Sequence, residues 1–311
     1  MAKRVLNLVP AELAALSPKE LLQAVAASEG RVLAAETIGI TPPLLSDVTN
    51  AEFAASMGAD LLLLNMFDVW EPRIEGLPAT QPVDVVRQVK TLTGRMIGIN
   101  LEPVDPAACA ENAETIWAMS RGRYATPENA QRAMEMGVDL IVLTGNPGNG
   151  VSNAAILHSL ESIRAQVGDG IVLAAGKMHA SGVVGEGGEN IITKEDVEAF
   201  ARAGADIILL PAPGTVPGIT TEYVRGLVSF AHSLGCLTIT AIGTSQEGAD
   251  TATIRQIALA CKMTGTDIHH IGDSGYVGMA LPENIMAYSV AIRGIRHTYR
   301  RMAMSLARKP Q

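Results

Sequence analysis

The sequence is poor in cysteine. It has three in 311 residues, Cys109, Cys236 and Cys261, far apart and in no Cys-x-x-Cys pair. That scarcity argues against a zinc site or a disulfide framework and fits a reducing, cytoplasmic setting. Positive charge is also short: 24 Lys and Arg stand against 32 Asp and Glu, a net charge of −8. A protein whose main partner is nucleic acid needs a basic face, so that class is excluded. No uninterrupted apolar run approaches the ~18 residues of a membrane span, so no membrane partner is expected. The N-terminal stretch MAKRVLNLVPAELAAL is broken by Pro10 and Glu12 and does not read as a signal peptide. His-x-His, His-Glu-x-x-His and the Gly-x-x-x-x-Gly-Lys-Ser/Thr loop are missing too, which leaves zinc hydrolysis and a nucleotide P-loop unsupported.

Short apolar runs recur instead: RVLAAE (31–36), DLLLLN (60–65), RMIGIN (95–100), DLIVLT (139–144), GIVLAA (170–175), ADIILLP (205–211), LTITAIG (237–243) and DIHHIG (267–272). Most lack polar alternation, as expected for strands buried on both faces of a parallel sheet. Helical patterns with clear start signals lie between them. Ser17-Pro18-Lys19-Glu20 and Thr49-Asn50-Ala51-Glu52 are capping boxes, and Thr126-Pro127 and Thr193-Lys194-Glu195-Asp196 open two more helices. Several helices stop at a glycine just before the next strand (MGAD, MGVD, AGAD, LGCL, TGTD), where glycine supplies a left-handed cap. Eight strands alternating with helices make an α/β protein, a (β/α)8 TIM barrel as one domain over residues 1–311, with an extra N-terminal helix at about 17–28. The competing open doubly wound sheet would announce a Gly-x-Gly-x-x-Gly turn after its first strand, and TIGITPPLL stands there instead. The basic C-terminal segment, Arg293, Arg296, Arg300, Arg301, Arg308 and Lys309, reads as a complement to a helix dipole.

In this fold the active site lies at the C-terminal ends of the strands. The strand ends present Glu36; Asn65 and Asp68; Asn100 and Glu102; Thr144 and Asn146; Lys177 and His179; Thr215; Gly243, Thr244 and Ser245; and Asp273, Ser274 and Gly275. Lys177 stands out among seven lysines as the one at a strand end. It could be a Schiff-base nucleophile, a general acid or cation holding a carboxylate, enolate or phosphate, or an ion-pair partner. His179 could carry a proton, bind a metal or contact substrate. Glu36 and Glu102, with the amide of Asn100, would form an acidic arc facing Lys177, and such a set suits a hard divalent ion such as Mg²⁺. His269 and His270 are adjacent, so at most one enters the barrel. The loops GTSQEG and GDSGYVG, and TGNPGNG after the fourth strand, suit an anion such as phosphate. The glycine-dense ASGVVGEGGENIIT reads as a lid.

The motifs LLLNMFD (62–68), GINLEPV (98–104), LTGNPGNGVSN (143–153), AGKMH (175–179), AIGTSQE (241–247) and HIGDSGYVG (270–278) resemble an uncharacterised bacterial TIM-barrel family. Its members are sometimes labelled haloacid-dehalogenase-like hydrolases or phosphoenolpyruvate phosphonomutase-like proteins, and it is distantly similar to BtpA-type barrels. A haloacid dehalogenase needs an Asp-x-Asp nucleophile motif, which this sequence lacks. The resemblance implies the barrel and no substrate. From the residues, the leading expectation is an enzyme acting on a small anionic, phosphorylated carbonyl metabolite. Lys177, His179, Glu36 and Glu102 would do aldolase-like lyase or isomerase chemistry. Asn65, Asn100, Asn146, Thr215, Gly243, Thr244, Ser245, Asp273, Ser274 and Gly275 would bind substrate or its phosphate. The alternatives are a metal-dependent hydrolase with Glu36, Glu102, His179 and Asp273 around the ion, and a non-catalytic BtpA-like binding or assembly protein. Apolar positions in the terminal helices suggest a homo-oligomer.

Overall fold

A computed structural model describes residues 2–104, 119–145, 150–180 and 184–310. Eight parallel strands close into a barrel in chain order: β1 (Val32–Ile38), β2 (Leu61–Asn65), β3 (Met96–Leu101), β4 (Leu140–Leu143), β5 (Val172–Gly176), β6 (Ile207–Pro211), β7 (Leu237–Ile242) and β8 (Ile268–Ile271). The (β/α)8 expectation holds, and each strand overlaps its expected run with ends shifted by at most two residues. The helices are α1 (Pro10–Ala14), α2 (Pro18–Ala27), α3 (Asn50–Ser56), α4 (Val85–Thr93), α5 (Pro127–Met136), α6 (Asn153–Val167), α7 (Lys194–Arg202), α8 (Thr221–Ser233), α9 (Thr251–Thr264) and α10 (Pro282–Met302). The capping boxes at Ser17 and Thr49 form as read, and the helix start at Thr193 proves to be a third. Among the described residues no helix is long and apolar enough to cross a membrane.

Alternation along each strand sorts side chains into two cores. Outward residues such as Leu33, Leu62, Ile97, Leu173 and Ile208 pack under the helices. Inward ones fill the barrel: Val32 and Ala34, Leu61 and Leu63, Met96, Leu140 and Val142, Val172 and Ala174, Ile207 and Leu209, Ile239 and Ala241, and Ile268. Leu13 of α1 and Leu21, Ala24 and Val25 of α2 join this inner cluster. The expected N-terminal helix is therefore the floor of the barrel, closing the end where the strands begin.

Arg300 and Arg301 lie in the last turn of α10, as the dipole reading expects, but arginines of this segment also have partners that the sequence did not indicate. Arg293 and Arg301 are buried and ion-paired to Asp60, itself fully buried at the start of β2. Arg301 and Arg300 also donate to the carbonyls of Val5 and Leu6. The segment reaches them because α10 breaks at Gly294, whose φ of 76° and ψ of 163° are not helical. Burial alone would raise the Asp60 pKa, but Arg293 and Arg301 outweigh it and hold the carboxyl below its ordinary value. The basic tail is thus a clasp on the N-terminal side of the barrel.

Candidate active site

The site follows from continuing the inward parity by one more residue. Val32 and Ala34 lead to Glu36, Leu61 and Leu63 to Asn65, Met96 and Gly98 to Asn100, Leu140 and Val142 to Thr144, and Ile268 to His270. An apolar plug is thereby topped by a polar ring, and strand pairing locks its members together: Ala34 is level with His270, and Ile38 with Asn65. Asn100 Nδ2 donates to Glu36 Oε1 at 2.6 Å and to Asn65 Oδ1 at 3.2 Å. His270 Nε2 faces Glu36 Oε2 at 3.5 Å. Asn65 Nδ2 donates to Asp273 Oδ2 at 2.8 Å. Among the described residues, several buried polar atoms of this ring have no hydrogen-bond partner: Asn100 Oδ1, Thr144 Oγ1, His270 Nδ1 and, beside them, Glu247 Oε2 and Ser274 Oγ. Buried polar groups are rarely left unpaired, so these atoms mark a place built for something else.

Two further carboxyls close over the ring. Asp273 follows β8, and its Oδ1 accepts from the Gly275 N–H at 2.7 Å. Burial, then the neighbouring Glu36 charge, push its pKa from 3.8 up to about 7. Glu247, in the turn after β7, is buried. Burial, with Glu36 adding to it, raises its pKa, while backbone N–H groups and His270 work the other way. Its carboxyl lies over Gly272, where an added Cβ would stand 3.3 Å from Cδ. Carboxyls placed this close cannot all ionise at neutral pH, so the group retains a proton there.

Lys177 and His179 arrive from β5, diametrically across the barrel from β1. The last residue of β5 must be glycine, because a Cβ at Gly176 would come within 2.0 Å of the Leu209 carbonyl oxygen. Lys177 is 1% exposed. Met178 packs onto the inner core. Burial first, and then the Lys177 charge, lower the pKa of His179, while Glu36 raises it. The imidazole therefore lies within electrostatic reach of both the cation and the acidic ring.

Other expected residues go elsewhere. Glu102 does not complete an acidic arc: it forms a buried ion pair with Arg123, and its backbone N–H bonds to the Arg123 carbonyl at 2.8 Å. It is thus not available as a second carboxylate beside Glu36, and the Glu36–Glu102 Mg²⁺ pair is not assembled. Among the described residues no three His, Cys, Asp or Glu side chains converge on a metal position. Thr215 Oγ1 donates to the Ala212 carbonyl, and Thr244 Oγ1 to the carbonyls of Thr215 and Gly243. Thr244, Ser245 and Ser274 have left-handed backbones. Gly243 lies beside Met178, whose sulfur would be 3.1 Å from a Cβ there. The Gly275 and Ser274 N–H groups, expected to meet phosphate, bond to Asp273 and Glu247. Asp68 is tied to the N–H groups of Trp70 and Glu71. Asn146 and residues 181–183 of the lid reading lie outside the described residues. Of the two adjacent histidines, His270 enters the barrel, while His269 points out to Tyr288 and the Gly30 carbonyl. Glu247, His270 and Arg123 were missed as functional residues. The adjacency of His269 and His270 left open which of them faces inward, and no periodic signal marks Glu247 or Arg123.

A family profile described as "Domain of unknown function (DUF7916)" matches residues 6–308. No curated protein matches the sequence. Among solved structures, the carboxyl transferase domain of Rhizobium etli pyruvate carboxylase, determined with 3-bromopyruvate, aligns with a TM-score of 0.54 at 12% identity. The alignment covers 97% of this chain and 53% of that one, so the chain spans about half its length. A 2,3-dimethylmalate lyase of the PEP mutase/isocitrate lyase superfamily aligns with a TM-score of 0.50 at 13% identity, covering 82% of this chain and 80% of that one. A thiamine phosphate pyrophosphorylase from Pyrococcus furiosus gives 0.47 at 11% identity, covering 85% and 96%. The first two of these likenesses show the fold alone. The haloacid-dehalogenase label finds no support among them.

Proposed function

We propose a function for this chain on the premise that it belongs to the DUF7916 family, which matches nearly its whole length and leaves the barrel mouth as the guide to chemistry. The protein is an enzyme that abstracts and returns a proton next to the carbonyl of a small anionic metabolite, in lyase or isomerase chemistry through an enolate-like intermediate. The observation that carries this reading is Asp273, a carboxyl whose pKa lies at about 7 beside Glu36; Lys177, buried just after β5, is the cation proposed to face it. A general base works best with a pKa near the working pH. A buried cation opposite stabilises the negative charge that develops on the carbonyl oxygen.

The roles follow from position. Asp273 takes the proton, a part expected of Glu36 or Glu102. Glu36, fixed by Asn100 and His270, keeps Asp273 basic by repulsion. Lys177 holds the anion or enolate oxygen. His179, which feels both Lys177 and Glu36, passes a proton between the two sides. The phosphate of the substrate remains part of the proposal, on the Lys177 side, because the mouth is otherwise acidic. The unpartnered atoms of Asn100, His270 and Glu247 support a catalytic pocket over a BtpA-like assembly role, which predicts that rim groups pair with each other.

Thermal melting of the purified protein against a panel of 2-oxo acids and sugar phosphates tests the reading. A ligand at one hundred times its Kd stabilises by about 2.7 kcal/mol. At least one member should raise Tm, and Lys177→Met should abolish the shift. A panel without effect, or a shift that survives Lys177→Met, refutes it. Borohydride reduction with the bound oxo acid should leave no covalent adduct if Lys177 acts as a cation. An adduct on Lys177 would assign it a Schiff base instead.

A further inference from the structure

Three atoms without a hydrogen-bond partner among the described residues, Asn100 Oδ1, Glu247 Oε2 and His270 Nδ1, suit a donor, whereas the unpartnered Nε of Arg123, beside Glu102, is itself a donor. Asn100 Oδ1 is an acceptor by assignment, because the Nδ2 of the same amide donates to both Glu36 and Asn65. Glu247 Oε2 is a carboxyl oxygen. His270 turns Nε2 to Glu36, and a proton placed on Nε2 by that contact makes Nδ1 an acceptor. All three side chains are more than nine-tenths buried, at 8%, 5% and 1% exposure, and none of these three atoms has a partner. Two more unpartnered atoms of the mouth, Thr144 Oγ1 and Ser274 Oγ, are hydroxyls and adapt to either role.

We infer that this acceptor floor binds the hydroxyl groups of the substrate, so that the metabolite is a polyhydroxylated carbonyl acid or phosphate with its hydroxyl-bearing chain on Asn100, His270 and Glu247. An anionic group cannot sit there, since Glu36, Glu247 and Asp273 surround the place. A plain hydrocarbon chain would leave three buried acceptors unsatisfied, and a site built to pair with hydroxyls rejects an analogue that lacks them. Two or three hydroxyls donate to all three acceptors without adding charge. The inference rests on the reading that Lys177 takes the anionic end, because that fixes which end of the molecule faces the floor.

Calorimetric titration of the full-length protein with matched pairs tests it. Erythronate, ribonate and gluconate are compared with the alkanoates of equal chain length, which carry the same carboxylate and no hydroxyls. At least one aldonate should bind about ten-fold or more tightly than its alkanoate. Glu247→Gln should erase most of that preference, a loss of about ten-fold for one hydrogen bond to a carboxylate, and leave alkanoate affinity unchanged. Glu247→Asp keeps the charge but retracts it, and should lose the preference too. Variants are compared only where their melting matches the wild type. If no aldonate is preferred, the inference is overturned. It is equally overturned if 6-aminohexanoate or Mg²⁺ alone is the probe whose binding depends on Glu247. If both members of a pair bind alike and Lys177→Met weakens both, the floor assignment fails and the anion reading stands. If aldonates are preferred through Glu247 but Lys177→Met changes nothing, the floor assignment stands and the anion reading fails.

Discussion

Asp273→Asn separates a proton-holding carboxyl from an ordinary one. The wild-type group titrates at about 7 in the folded protein, against 3.8 for an unperturbed aspartate. Between those values the native state holds a proton that the unfolded chain has released, so stability falls as pH rises through this window and levels off above it. Each pH unit is worth about 1.4 kcal/mol. From pH 5 to 7, where half the native groups have released the proton, the loss is therefore about 2 kcal/mol. The asparagine variant lacks this loss. It also sets its own amide against Asn65 Nδ2, which now donates to Asp273 at 2.8 Å. That mismatch costs about 1–3 kcal/mol but does not change with pH. Urea unfolding at pH 5, 6, 7 and 8 should thus show the variant deficit shrinking by about 2 kcal/mol as pH rises. Parallel curves for the two proteins would refute the assignment of the proton to Asp273.

Three further outcomes follow from other parts of the molecule. Glu102→Ala strands Arg123 without its partner and should cost about 3–5 kcal/mol in urea unfolding, whereas replacing both residues with methionine should cost markedly less. Asp60→Asn should cost about 3–5 kcal/mol by removing the charge that Arg293 and Arg301 share; because the Asp60 pKa is lowered, its stabilisation is complete above about pH 4 and fades on acidification below that, which an acid titration of wild type and variant resolves. Gly176→Ala places a methyl within 2.0 Å of the Leu209 oxygen, so the variant should fail to fold or melt far below wild type, and an unchanged Tm would contradict the close approach of β5 and β6.

Local features of the sequence carried most of the fold. Strand runs, capping boxes and terminal glycines are set by neighbours a few residues apart, and β1 to β8 lie where those signals put them. The polar ring was half legible. Glu36, Asn65 and Asn100 were visible as strand ends, because polar residues closing an apolar run have few bland explanations. His270 required knowing which of two adjacent histidines shares the inward parity, and only the pairing of Ala34 with His270 decides it. Glu102 misled because Arg123, 21 residues on, returns to pair with it. The partner of the α10 arginines was less legible still, since Asp60 is 233 residues from Arg293 and a charge run carries no record of its partner. Glu247 sits in a single turn, where no periodicity reports burial.

Solvent-isotope exchange tests the central claim most directly, because proton abstraction next to a carbonyl needs no complete substrate. The protein is incubated in D₂O with pyruvate, 2-oxobutanoate, hydroxypyruvate and a set of hydroxylated 2-oxo acids, and loss of the C3 proton signal is followed by NMR. Wild type should exchange at least one of them faster than buffer alone, and Asp273→Asn and Lys177→Met should each return the rate to the buffer value. Exchange at the buffer rate for every compound, or exchange that persists in both variants, would contradict the assignment of the barrel mouth as a proton-transfer site.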